Sequence, residues 1–189
     1  MDWFEHPPRR VFHTLLAAVL LWLLWVASGP GVLTLRIGGA VLTVALFGLV
    51  WLVRVGWSAV RRRRWSWWYP VAPLLVAATA VALATGAPLQ SRWALSSDAF
   101  DRLVIALPVG ADWTPFDVPT TVGAYRIDRA YRVPGGAVFE EANGSGVVDD
   151  AGFAYLPGGP TAALRRGGPY EGLIFRHLRG PWYTWTASW

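Results

Sequence analysis

Three long apolar runs fill the first 87 residues, and short alternating runs divided by glycine and proline fill the rest. The first, VFHTLLAAVLLWLLWVA at residues 11–27, holds no charged residue and stops at Ser28-Gly29-Pro30-Gly31, a cluster that ends helices. The second covers about 32–53, uncharged from Ile37 onwards, with Arg36 near enough to its start to snorkel. The third, about 68–87, is rich in alanine and follows a group of aromatics. A helix needs about 20 mainly apolar residues to cross a hydrocarbon core of about 30 Å. Three transmembrane helices are therefore expected within residues 1–88.

From residue 89 the pattern changes. Ser96 or Ser97 can cap a helix through Leu107, with Phe100, Leu103, Val104 and Leu107 at helical spacing and Pro108 as its stop. Residues 122–133 read as a strand, Pro134-Gly135-Gly136 as a turn and 137–141 as the return strand. Asn143-Gly144-Ser145-Gly146 is a second turn, and 153–156, 173–178 and 182–189 suggest further strands. The expectation is an α+β domain at 89–189, a helix on an antiparallel β-meander.

Charge decides on which side of the membrane that domain lies. Residues 1–88 carry eight arginines against Asp2 and Glu5, a balance of +6; residues 89–189 carry nine against ten acids, −1. A pI near 10.2 ordinarily suggests nucleic acid. Here the surplus flanks apolar runs, where it sets membrane orientation, so no nucleic-acid partner is expected. Arg9 and Arg10 before the first run, and Arg61, Arg62, Arg63 and Arg64 between the second and third, fall on one side of a three-span chain. That side is cytoplasmic, and the 89–189 domain is extracytoplasmic at the cell membrane. Trp57, Trp65, Trp67, Trp68 and Tyr69 bracket the basic loop as an interfacial belt would. Arg61–Arg64 can also meet anionic lipid head groups, beyond setting topology. The first run resembles a signal peptide, but it lacks a small-x-small cleavage site before a mature start and leads straight into another apolar run.

Composition agrees with a membrane protein: 54% hydrophobic and 15% charged residues, against about 45–50% and about 25% in soluble domains. Without cysteine there is no disulfide, thiolate zinc site or cysteine nucleophile. Alanines such as Ala78 and Ala82, and Gly38 with Gly39, allow close approach of helices within the bundle or between copies.

GFAYLPGGP at residues 152–160 and FRHLRGPWYTWTASW at 175–189 resemble a family of small actinobacterial multi-pass membrane proteins of unknown function. The resemblance covers mainly the 89–189 region and implies a membrane location, but no activity.

Candidate chemistry is sparse. His177 is the only histidine after residue 88, so a nitrogen-containing metal site there would need it with carboxylates from Asp149, Asp150, Glu140 or Glu141. Adjacent acids on a strand point to opposite faces, so each pair gives one ligand per face. Ser145 and Ser188 lack the GxSxG elbow, and Gly158-Gly159 and Gly167-Gly168 lack a Walker lysine. No metal or cofactor is expected. Trp182, Tyr183, Trp185 and Trp189 close the chain. Tyr183 and Trp185 share one strand face and Trp182 takes the other. These rings either fill a core or form a stacking surface.

The leading functional expectation is a non-enzymatic accessory or interaction subunit in the bilayer, presenting its outer domain to a membrane or envelope partner. The alternatives are an envelope enzyme, which requires His177, Asp149, Asp150 and Glu140 to converge in one pocket, and a transporter-complex subunit contributing helices.

Overall fold

The computed structural model describes residues 10–31, 34–62, 67–105, 112–142, 144, 149–166 and 168–188. The chain folds as two compact units, Met1–Val26 with Thr34–Ala87, and Ala27–Leu33 with Pro88–Trp189. The first holds helices α1 (Arg10–Val26), α2 (Thr34–Arg62) and α3 (Val71–Ala84). Phe12, Leu16 and Leu20 of α1 are buried with Ala72 of α3, and Val44, Phe47 and Trp51 of α2 pack against them.

Helix ends differ from the expected ones for local reasons. α2 runs beyond residue 53 because the sequence up to Arg62 contains a single glycine and no proline. α3 starts at Val71 with Pro70 as its N-cap, and Pro73 sits in the first turn, where a missing N–H breaks no helical bond. The helix stops at Thr85, whose N–H and hydroxyl both donate to the Val81 carbonyl.

Among the described residues, one helix is long and apolar enough to cross a membrane, through Gly38–Trp57 of α2 at mean hydropathy 2.0. α3 reaches the needed length only together with a following bent helix, α4 (Ala87–Ala94). α1 has 17 residues, a rise of about 26 Å against a core of about 30 Å. The helices thus supply one or two candidate spans where the apolar runs suggested three, because Ser28-Gly29 and Pro70 shorten the outer two. Arg61 and Arg62 end α2. Arg63, Arg64, Leu107, Pro108, Asn143, Ser145, Gly146 and Trp189 lie outside the described residues.

The second unit sets α4 and α5 (Ser97–Ile105) against an antiparallel sheet. Its strands are β1 (Thr114–Pro115), β2 (Thr121–Val122), β3 (Tyr125–Val133), β4 (Gly136–Glu141), β5 (Asp149–Tyr155), β6 (Ile174–Arg179) and β7 (Trp182–Ser188), with α6 (Ala162–Arg166) between β5 and β6. The order is β1-β3-β4-β5-β7-β6, with β2 paired to β3. The meander therefore holds only as far as β5. β7 pairs with β5 from Asp149↔Ser188 to Tyr155↔Trp182, which leaves β6 at the sheet's end.

The run expected as one strand at 122–133 is a hairpin, β2 and β3 turning at Gly123-Ala124. Gly123 has φ +60°, and a side chain there would strike Ser96. Ser96 does not cap α5 with its hydroxyl. It donates to the Arg92 carbonyl at 2.9 Å and accepts the Ala124 N–H at 2.9 Å, pinning α4 to the hairpin.

Both faces of the sheet are covered. On one, Trp93 of α4 and Phe100 of α5 pack on Tyr125, Phe139, Phe153 and Trp182. On the other, Leu164 of α6 with Tyr170 and Leu173 covers Val138, Ala154 and Trp185. Trp182 and Trp185, 3% and 0% exposed, are core residues on opposite faces, which places them away from any stacking surface. Trp182 donates its indole N–H to Asp101 at 2.8 Å, tying β7 to α5. Trp185 lies over Gly152 and donates to the Phe139 and Phe153 carbonyls at 3.1 and 3.2 Å.

Candidate functional site

Glu140 is the most chemically distinctive residue of the second unit. Alternation along β4 sends Phe139 and Glu141 to the helix-covered face and Val138 and Glu140 to the face beneath α6. A glutamate in such a strand is buried whichever way it points, and Glu140 and Glu141 are 2% and 1% exposed. Tyr170 donates its hydroxyl to Glu140 Oε2 at 2.6 Å, the short length of a charge-assisted bond. Arg129, directly opposite on β3, brings Nη1 to 3.9 Å from the same oxygen but is itself 60% exposed.

Tyr170, which covers this carboxylate, belongs to a cluster of aromatic rings. Tyr131, Tyr170 and Trp113 meet edge to face with centroids 5.8–5.9 Å apart, so they fill one another's space. Trp113 has φ +45°, an uncommon conformation for a bulky residue. Its ring occupies the place a side chain at Gly168 would take. Burial raises the Glu140 pKa against the opposing effects of the Tyr170 bond and the Arg129 charge, and the charges of Asp150 and Asp128 raise it further. Burial first, then the Glu140 hydrogen bond and charge, hold Tyr170 firmly protonated. Chemically, this is a carboxyl–phenol pair that tethers the α6–β6 connection to the sheet.

A second polar cluster joins the α1–α2 connection to the sheet. The Tyr125 hydroxyl, fully buried, donates to the Ser28 carbonyl at 3.2 Å. Arg92 lies 4.2 Å from the Tyr125 ring centroid, and its guanidinium donates to the Ala124 carbonyl at 2.6 and 3.2 Å and to the Ser28 hydroxyl at 3.2 Å. Gly31 sits so close to Ala151 that a side chain there would overlap it. Burial keeps the Tyr125 phenol protonated, partly offset by Arg92.

Of the sequence candidates, Glu140 and Asp150 come together, and His177 does not join them. Glu140 on β4 and Asp150 on β5 are both buried, and each belongs to the even-numbered set that faces α6. His177 stands on β6, exposed, its Nε2 2.9 Å from the Gly180 carbonyl and its ring stacked edge-on against Tyr183. β7 separates it from β5. Asp149 opens β5 and Ser188 ends β7. Among the described residues no three His, Cys, Asp or Glu side chains group as metal ligands. Sequence reasoning picked out Glu140 but missed Tyr170, Tyr131, Trp113 and Arg129. Only Arg129 and Tyr131, spaced two apart on β3 in step with apolar Val133, gave a periodic signal, and the irregularity between Ile127 and Arg129 breaks it on the N-terminal side.

Among the described residues of the helical unit, a cavity of about 380 Å³ is lined by Phe12, Leu16, Phe47, Trp51, Ala72 and Val76 among others. Its walls are almost wholly apolar and offer no reacting group. No known family model, curated protein or solved structure matches the chain.

Proposed function

We propose that the chain is a three-span membrane protein whose α+β unit is an extracytoplasmic, non-enzymatic interaction module for a membrane or envelope partner. The observation that carries this reading is the place of Ala27–Leu33. That connection between α1 and α2 belongs to the same compact unit as Pro88–Trp189 and is bonded to it through Tyr125 and Arg92. One folded unit lies on one side of a membrane. The chain between residues 34 and 87 must therefore return to the side it left, and if α2 crosses then α3 is the return span. α1 is the first crossing, and Arg9, Arg10 and Arg61–Arg64 then share the opposite side, which the arginine bias makes cytoplasmic.

The interaction reading rests on how the acids are used. The Glu140 carboxylate is sealed beneath Tyr170, and His177 lies on another strand. Both sheet faces are occupied by the unit's own helices and connections.

Single cysteines at Thr120, exposed in the outer unit, and at Ser66, beside the basic run, test the topology in a chain that has no native thiol. Intact cells treated with a membrane-impermeant maleimide should label position 120 and spare position 66. Labelling at 66 alone, at both or at neither overturns the three-span arrangement.

A further inference from the structure

We infer that the free edge of β6 is a docking strand for an acidic, extended segment of the partner, taken up by strand addition. This deepens the interaction reading and rests on it. β6 closes the sheet at one end and pairs only with β7. Among the described residues no strand pairs with its other side. An open strand edge presents unpaired N–H and C=O groups, which main-chain pairing with a peptide satisfies. The opposite end of the sheet is poorer for this purpose, being the two residues Thr114–Pro115, one of which is proline.

Side chains on the edge select the occupant. Arg176, His177 and Arg179 are exposed, and Ile174 is 57% exposed. Arg165 of α6 adds a guanidinium 5.9 Å from the Phe175 ring centroid. No acid occurs between residues 172 and 189, although the 89–189 region as a whole carries −1. β6 itself thus carries positive charge and no acid. A second copy pairing antiparallel about the middle of this stretch would bring Arg176 against the copy's Arg179, and like charges across strands are destabilising. An acidic strand reverses that sign while Ile174 meets an apolar residue. The same arginines repel a copy and admit an acidic partner.

The test uses the full chain in lipid nanodiscs and a capped peptide of about eight alternating valines and glutamates, the length of an ordinary strand. Controls are the valine–lysine peptide and the valine–glutamate peptide with a central proline. The acidic peptide should slow amide exchange within residues 174–179, and both controls should fail to do so. Arg176→Glu with Arg179→Glu should weaken the acidic peptide about tenfold, the combined effect of two reversed edge charges, and admit the lysine peptide. Absence of protection, equal protection by the lysine peptide, or an unchanged double variant overturns the inference. Protection that grows with protein concentration alone overturns it in favour of a second copy. Outside labelling with an unpaired β6 removes this inference and leaves the topology standing. Inside labelling with a paired β6 does the reverse.

Discussion

Glu140 combines burial, one short hydrogen bond from Tyr170 and a distant, exposed arginine. Because burial raises its pKa, the folded chain holds the proton more tightly than the unfolded chain, where glutamate titrates near about 4.3. The stabilisation from this difference is fully present below that value and is lost as pH rises through the higher native one. Glu140→Gln keeps the shape and an acceptor for Tyr170 while removing the titration. The melting temperature of the variant minus that of the native chain should therefore shrink as pH falls from 7 to 5. A constant difference over that range would mean that Glu140 titrates alike in both states. Gly152 makes a steric prediction at the same scale. A Cβ there would overlap the Phe139 carbonyl oxygen and press on Trp185 Nε1. Gly152→Ala should cost about 1–3 kcal/mol for the forced shift, with a further loss if the Trp185 bonds break, read as a lower denaturation midpoint.

Among elements, α4 organises the second unit: Trp93 enters the core and Arg92 gathers Ala124, Ser28 and the Tyr125 ring. Arg92→Ala should leave the sheet folded and release the α1–α2 connection. Hydrogen exchange at residues 27–31 should rise while residues 137–141 stay protected. Equal acceleration in both segments would make Arg92 a general core residue instead. These elements were unevenly legible. The turn at Pro134-Gly135, β4, β6 and β7 followed from glycine, proline and aromatic placement, because those signals are local. α4 was hidden because APLQSRWA has one buried large residue and no repeat. The β2–β3 hairpin was hidden because Gly123-Ala124 interrupts an otherwise continuous strand pattern by only two residues. The position of β7 between β5 and β6 is decided by nonlocal pairing, which no local window contains. The candidate site failed to show for the same reason: Tyr170 reaches Glu140 across 30 residues of chain.

At the scale of the whole molecule, the second unit is built from two separated pieces of chain. A chain of residues 88–189 alone lacks the Ser28 carbonyl that accepts the buried Tyr125 hydroxyl and the Ser28 hydroxyl that accepts from Arg92. An unsatisfied buried donor costs about 1–3 kcal/mol. The excised piece should therefore unfold at lower urea concentration than a version carrying residues 27–33 on a flexible glycine–serine linker before Pro88. Tyr125→Phe separates the causes. It removes the donor itself, so the linked segment should confer less advantage on that variant than on the native sequence. Coincident midpoints for the excised and linked pieces would reduce the segment to a passenger and remove the main support for returning spans. A clear gap that narrows with Tyr125→Phe would make the α1–α2 connection a structural part of the second unit. The same bond would then serve stability and topology together, since a segment needed for folding must emerge on the side where the sheet folds.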